Sequence, residues 1–278
     1  MPVHWVFFTD LDGTLLDHAD YRWTAARGAL AAIRRRGSPL VIVTSKSRAE
    51  VLPLLRDLGR RDPFVVENGG AIYLPAGYFQ FRVKGARRAG RDWQRVPLGT
   101  PRRKLLGALG RAARRTGIRV WGFAQMTAGQ VAAATGLGLG EARRALRREY
   151  DEPFLILDSG ARAWPRLRRE IRREGLRATR GSRFFHILGA NDKGVAVRHL
   201  MRWFRRARGA HVRTVGLGDS PNDVALLRAV DIPILVARPG GRYDSETLAA
   251  VPGVRRAGGV GPQGWDRAVR ALLGETTK

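Results

Sequence analysis

Phe8-Thr9-Asp10-Leu11-Asp12-Gly13-Thr14 is the stretch that decides how the chain is read. Its two carboxylates stand two residues apart, directly after the apolar run from Val3 to Phe8, which reads as a buried strand. If that strand belongs to a parallel sheet, both aspartates emerge at its carboxyl end, where open α/β sheets bind their ligands. One carboxylate can serve as a nucleophile while its neighbour handles protons, which suits chemistry on a phosphate ester. The plain alternative for the same residues is an Asx-type turn leading into a helix, since Asp and Gly are common turn residues.

Three later segments supply further parts. Leu40-Val41-Ile42-Val43-Thr44-Ser45-Lys46 is a β-branched strand ending in hydroxyls. Asn191-Asp192-Lys193-Gly194 stands just before the helical pattern of Val195 to Phe204. Val215-Gly216-Leu217-Gly218-Asp219-Ser220-Pro221-Asn222-Asp223 is another strand that ends in carboxylates. Taken singly, Thr44 reads as a helix N-cap, Lys193 as a solvated first-turn lysine and Gly-Asp-Ser-Pro as a turn. Their order and strand-end placement argue for a shared site.

The four segments resemble the four motifs of the haloacid dehalogenase superfamily of phosphotransferases. The resemblance implies a Rossmann-like parallel α/β core with an inserted α+β cap of the C2 type. It implies that Asp10 is the nucleophile and that Asp12 protonates the leaving oxygen and then activates water. It implies that Thr44 hydrogen-bonds a phosphoryl oxygen and that Lys193 neutralises charge on the phosphoryl group and Asp10. Asp219 would bind Mg²⁺ with the Asp10 carboxylate and the Asp12 backbone carbonyl, and Asp223 would complete the acidic site. The residues suit those roles independently, because phosphoryl transfer needs charge neutralisation and positioning, and Mg²⁺ takes oxygen ligands. The chain has no Cys and five His, with no pair at zinc-ligand spacing.

At 278 residues the chain has room for one large domain or two modest ones. No apolar run approaches the roughly 20 residues that span a bilayer, and the N-terminal stretch lacks a signal-peptide layout, so the expectation is a cytoplasmic protein without a membrane partner. The net charge of +27 is carried almost wholly by Arg, in runs such as Arg34-Arg35-Arg36, Arg143-Arg144, Arg147-Arg148, Arg168-Arg169, Arg172-Arg173 and Arg205-Arg206. Three readings stand: solvated helix faces, steering of a multiply anionic small substrate, and nucleic-acid binding. The basic runs fall within helical patterns and lack interleaved aromatics, which disfavours nucleic acid.

Strand and helix alternate through the first 80 residues: a strand over 3–9, a helix from Thr24 to Arg36, a strand from Leu40, a helix from Ser47 to Leu58, and a strand at Phe64. The rhythm is lost from 81 and resumes at Lys193. The expected division is a core of 1–80 and 190–278, with 81–189 inserted as a cap that selects substrate and excludes water. Residues 87–101 read as loop, and the Gly-rich 240–264 as irregular.

A narrower resemblance is carried by Glu67-Asn68-Gly69-Gly70, by the helical stretch Thr135 to Arg148 running into Glu149-Tyr150-Asp151-Glu152-Pro153, and by Gly181-Ser182-Arg183-Phe184-Phe185-His186. These look like the mannosyl-3-phosphoglycerate phosphatase family. That implies a phosphorylated sugar-glycerate as substrate, released as mannosylglycerate and phosphate through an aspartyl phosphate. Glucosyl-3-phosphoglycerate, another sugar phosphate, and a phosphomutase reaction are the alternatives. The substrate carboxylate calls for a second cationic contact, and Arg148 and Arg183 are the candidates. Asn68, Gly69 and Gly70 would approach the organic part closely. Ser45, Ser182 and Asn222 complete the implied substrate-binding set. His186, after two aromatics, reads as a packed histidine.

Overall fold

The computed structural model describes residues 3–180, 184–209 and 211–275. Six strands open the chain: β1 (His4–Thr9), β2 (Leu40–Val43), β3 (Phe64–Val66), β4 (Ala71–Pro75), β5 (Arg87–Arg88) and β6 (Trp93–Pro97). Then come β7 (Val120–Gly122), β8 (Asp151–Ile156), β9 (Arg177–Arg180) and β10 (Phe185–Leu188), and finally β11 (Val212–Gly218), β12 (Ile232–Ala237) and β13 (Arg255–Val260). Among the described residues, nine strands form one sheet in the order β13-β12-β11-β1-β2-β3-β4-β6-β5, and four form a second in the order β7-β8-β10-β9. The run from β13 to β3 is parallel, while β4, β6 and β5 add antiparallel strands at one edge.

The helices are α1 (Arg27–Arg35), α2 (Arg48–Asp57), α3 (Arg102–Thr116), α4 (Ala128–Thr135), α5 (Leu139–Ala145), α6 (Ala163–Arg173), α7 (Lys193–Arg208), α8 (Val224–Leu227), α9 (Ser245–Ala250) and α10 (Gly261–Leu272). In β1, Phe7 packs with Ile33, Leu55 and Trp265 on one face, and Phe8 with Val197, Leu200 and Phe204 on the other. A sheet covered on both faces favours apolar residues at successive positions, which is why residues 5–8 of β1 and the whole of β2 read as continuous apolar runs. The second sheet is covered on one face by α3 and α6, where Phe154 and Ile187 meet Leu105, Leu109, Leu167 and Ile171.

The structure departs from the sequence-based expectations at three places. β5 and β6 pair with β4, so residues up to Pro97 lie in the larger sheet, and the break expected at 80 falls after 97. The helix expected from Thr135 to Arg148 is shortened to α5, because α4 ends at Thr135, the chain turns through Gly136 at φ 80°, and α5 runs only from Leu139 to Ala145. The Gly-rich 240–264 holds α9, β13 and the start of α10. Gly259 and Gly264 serve close packing there: a Cβ on Gly264 would sit 2.1 Å from the Gly259 carbonyl oxygen.

Candidate active site

Because β11, β1 and β2 are parallel neighbours, the residues that follow them, Asp219, Asp10 and Thr44, come side by side at one edge of the sheet. α7 delivers the cation. Asp192 caps it, accepting from the Val195 N–H at 2.8 Å, and Lys193 is its first residue. The buried Lys193 Nζ donates to Asp10 Oδ1 and to Asp223 Oδ1, each at 2.7 Å. Asp223 Oδ2 accepts from the Asp219 and Ser220 N–H groups at 3.1 and 3.2 Å, so the turn after β11 is held by its own acid. Asp219 accepts from Thr14 Oγ1 and from Arg238 Nε, both at 3.3 Å.

Carboxylate oxygens of Asp10, Asp219 and Asp223 lie within 4.8 Å of one another. Burial, then the charge of Asp223, raises Asp10 well above the ordinary carboxylate range, and the same two causes push Asp219 up to about 7. Burial works against the Lys193 ammonium, but Asp10 and Asp223 outweigh it and hold its pKa above the usual lysine value. Three clustered carboxylates therefore face one ammonium and the partly exposed Arg238. An all-oxygen set with surplus negative charge suits a hard divalent cation and offers nothing to a soft one.

Asp12 stands apart from the triad. Its Oδ2 pairs with Lys46 Nζ at 2.9 Å, and its Oδ1 is buried without a hydrogen-bond partner. Thr44 is buried, and its Oγ1 accepts from the Lys46 N–H at 3.1 Å, which leaves the hydroxyl hydrogen to donate elsewhere. Asp10, Asp12, Thr44, Lys193, Asp219 and Asp223 are thus brought to one sheet edge.

The residues expected to bind the organic part of a substrate have other occupations. Glu67, Asn68 and Gly69 form a turn with φ of 50°, 56° and 87°, a run of left-handed conformations that is rare for side-chain-bearing residues. Glu67 accepts from the Glu149 N–H at 2.9 Å and the Tyr150 N–H at 2.6 Å. Asn68 donates to Asp151 at 3.3 Å, accepts from Asn222 at 3.0 Å, and its carbonyl takes Asn191 at 3.2 Å. A Cβ on Gly69 would lie 2.1 Å from the Asp192 carbonyl oxygen, and one on Gly70 would lie 2.4 Å from Tyr150 Cβ. Both glycines are therefore spent on packing, not on approach to a ligand. Arg148 is no free fork either: its side chain is 5% exposed, and its Nη2 is shared between Asp151 at 2.9 Å and the Ser45 carbonyl at 2.6 Å. Asn222 is held by Asn68, while Ser45 sits at the rim of the site. Ser182 and Arg183 lie outside the described residues.

Four residues of this site escaped the sequence. Lys46 stands in a quoted motif but carries no mark of its contact with Asp12. Arg238 is hidden by the abundance of arginine. His186 and Asp151 form a pair, with Nδ1 at 2.9 Å from Oδ2, that joins positions 35 residues apart.

A family model described as haloacid dehalogenase-like hydrolase matches residues 7–81. The glucosyl-3-phosphoglycerate/mannosyl-3-phosphoglycerate phosphatase of Methanococcoides burtonii is 40% identical over 270 residues, 97% of each chain. The mannosyl-3-phosphoglycerate phosphatase of Pyrococcus furiosus is 31% identical over 233 residues, covering 83% of this chain and 90% of that one. Among solved structures, a haloalkanoate-superfamily phosphatase from Bacteroides thetaiotaomicron superposes with a TM-score of 0.64 at 18% identity, covering 98% of this chain and 96% of its own. A sugar phosphatase of subclass IIB gives 0.63 at 17%, covering 96% and 97%. The acidic site at the strand ends and the relationship along nearly the whole length agree: the chain belongs to the haloacid dehalogenase-like phosphatases, in the family of the glucosyl-3-phosphoglycerate/mannosyl-3-phosphoglycerate phosphatases.

Proposed function

We propose that the protein hydrolyses mannosyl-3-phosphoglycerate to mannosylglycerate and phosphate, with Mg²⁺, through an aspartyl phosphate on Asp10. The observation that carries the chemistry is the Lys193 bridge between Asp10 and Asp223 beside Asp219. A bound Mg²⁺, held by the carboxylates of Asp10, Asp219 and Asp223 and the Asp12 carbonyl, would neutralise phosphoryl charge. The chain's own residues do the rest. Asp10, whose Oδ1 faces the Lys193 ammonium, attacks phosphorus as the carboxylate while Thr44 donates a hydrogen bond to a phosphoryl oxygen. The bond to the glycerate oxygen breaks, and Asp12 gives that oxygen its proton. Asp12, now a carboxylate beside Lys46, takes a proton from water as the water attacks phosphorus and releases Asp10.

The substrate reading is supported by the names of the relatives. The Methanococcoides burtonii enzyme carries both sugars in its name, which favours glucosyl-3-phosphoglycerate as a second substrate of the same site. The test is phosphate release, with Mg²⁺ and with EDTA, from both glycosyl-3-phosphoglycerates, 3-phosphoglycerate and mannose 6-phosphate. The expected result is preference for the glycosyl-3-phosphoglycerates and loss of turnover in EDTA. Preference for mannose 6-phosphate overturns the substrate, and EDTA-insensitive turnover overturns the cofactor.

A further inference from the structure

The smaller sheet turns one face away from α3 and α6. Phe154, Ile156, Phe185 and Ile187 point toward those helices, so the alternate residues Pro153, Leu155, His186 and Leu188 occupy the other face. The register sets Thr179 opposite His186 and Arg177 opposite Leu188, on that same face. α4 and α5 cover only its Trp121–Leu155 end. The strip left over looks onto the ligand edge of the larger sheet. Asp151 accepts from Asn68, which holds Asn222 in the loop after Asp219. Arg177 Nη1 comes within 3.5 Å of Asp192 Oδ2, next to Lys193.

His186 is held on this strip by Asp151. Its Nδ1 lies 2.9 and 3.2 Å from the two oxygens of Asp151. Asp151 is completely buried; burial disfavours its charge, but His186 and Arg148 outweigh burial and keep it below the ordinary carboxylate range. An ionised acceptor takes the Nδ1–H, which leaves Nε2 as the ring's remaining hydrogen-bonding atom. Nε2 has no hydrogen-bond partner among the described residues, and the side chain is 17% exposed. Asp151 is shared by His186, Arg148 and Asn68, so the ring is one arm of a buried polar network at the joint. Arg177 has a side chain 49% exposed and, among the described residues, one long ion pair. Among the described residues of the strip it is a cation with capacity for a second anion, the capacity that Arg148 lacks.

We propose that His186 and Arg177 form the subsite for the organic half of the substrate. His186 Nε2 hydrogen-bonds a substrate hydroxyl, Arg177 pairs with the substrate carboxylate, and Asp151 is the positioning residue that sets the ring. The assignment rests on the reading of a carboxylate-bearing sugar phosphate as substrate. His186 and Arg177 are diagonal same-face neighbours on the adjacent strands β10 and β9, a relation that spaces residues by about 7–8 Å and fits one hydroxyl and one carboxylate of such a molecule. A site built to pair with a hydroxyl and a carboxylate leaves buried polar groups unmatched when an ester lacks them, so it discriminates by specificity more than by chemistry.

The test is the ratio of kcat/KM for mannosyl-3-phosphoglycerate to that for p-nitrophenyl phosphate, in the wild type, His186→Phe, His186→Gln and Arg177→Gln. The expected result is a ratio lowered at least about tenfold in His186→Phe and Arg177→Gln, with part of it restored by the hydrogen-bonding amide in His186→Gln. A fall of both esters by the same factor assigns the pair to cap structure and overturns the subsite, as does a ratio that does not move. A wild type that prefers mannosyl-3-phosphoglycerate beside variants that keep its ratio overturns the subsite alone. A wild type with no preference over p-nitrophenyl phosphate overturns the substrate reading and this inference together.

Discussion

Lys193 is the residue on which the site's charge balance turns. Its ammonium is the contact that keeps Asp10 and Asp223 compatible in a buried space. Lys193→Met keeps most of the stem and removes the charge. Losing one partner of a buried ionic cluster costs about 3–5 kcal/mol, and losing the group aimed at developing charge costs about 10²–10³-fold in rate. We expect both, read by denaturant unfolding in EDTA and by phosphate release with Mg²⁺; full turnover in the variant would remove Lys193 from the chemistry. Asp10→Asn separates the two effects. The amide keeps an acceptor for Lys193 and removes the repulsion with Asp223, so stability in EDTA should hold or rise while turnover disappears. Substantial turnover in Asp10→Asn would exclude the covalent route. At this scale the sequence was legible wherever a residue sits directly at a strand end, as do Asp10, Thr44 and Asp219. It was silent on Lys46, Arg238 and Asp151, whose roles are set by partners far away in the chain.

At the scale of elements, the informative piece is the short left-handed turn of Glu67, Asn68 and Gly69. Each residue does one job for the junction: Glu67 holds the backbone of Glu149 and Tyr150, Asn68 ties Asp151 to Asn222, and Gly69 lets the Asp192 carbonyl pass. Gly69→Ala would meet backbone at 2.1 Å with φ at +87°, so relief requires moving the α7 N-terminus that carries Lys193. We expect a loss of at least about 3 kcal/mol in stability and a fall in kcat, measured by unfolding and turnover; a variant within error of wild type would contradict the packing described. Ser47 is a milder case. It caps α2, with Glu50 completing a capping box, and its Oγ donates to the Arg144 carbonyl at 2.9 Å, joining α2 to the end of α5. Ser47→Ala should cost about 1–2 kcal/mol. The apolar runs and helix periods disclosed β1, β2, α1, α2 and α7, because a doubly covered parallel sheet leaves a continuous signal. β13 and β5 at the two sheet edges, and β6 beside β5, stayed hidden, since short strands rich in Arg, Gln and Gly carry no clear apolar alternation.

Over the whole molecule, the surplus of arginine and the joint between the two sheets behave differently. The runs Arg34-Arg35-Arg36, Arg168-Arg169, Arg172-Arg173 and Arg205-Arg206 are exposed on helix faces, where water and salt screen them. The charges that matter to the assembly are the few buried where the inserted sheet meets the larger one. Glu67 is 1% exposed, and burial, opposed by Arg148, raises its pKa from 4.5 to about 7. A folded-state pKa above the unfolded value means that the native protein binds the extra proton between those limits. The stability tied to that proton is full below pH 4.5 and is lost as pH rises through about 7. Glu67→Gln keeps an acceptor for the Tyr150 N–H and does not titrate. The stability of the variant relative to wild type should therefore shift in the variant's favour between pH 5 and 8, by on the order of 3 kcal/mol. Denaturant unfolding of both proteins across that range, in EDTA, reads the shift with the acidic triad common to both. A gap that stays constant with pH would mean that Glu67 is ionised throughout, and that the joint is held by a charged carboxylate on two backbone N–H groups instead of by a proton-sensitive one.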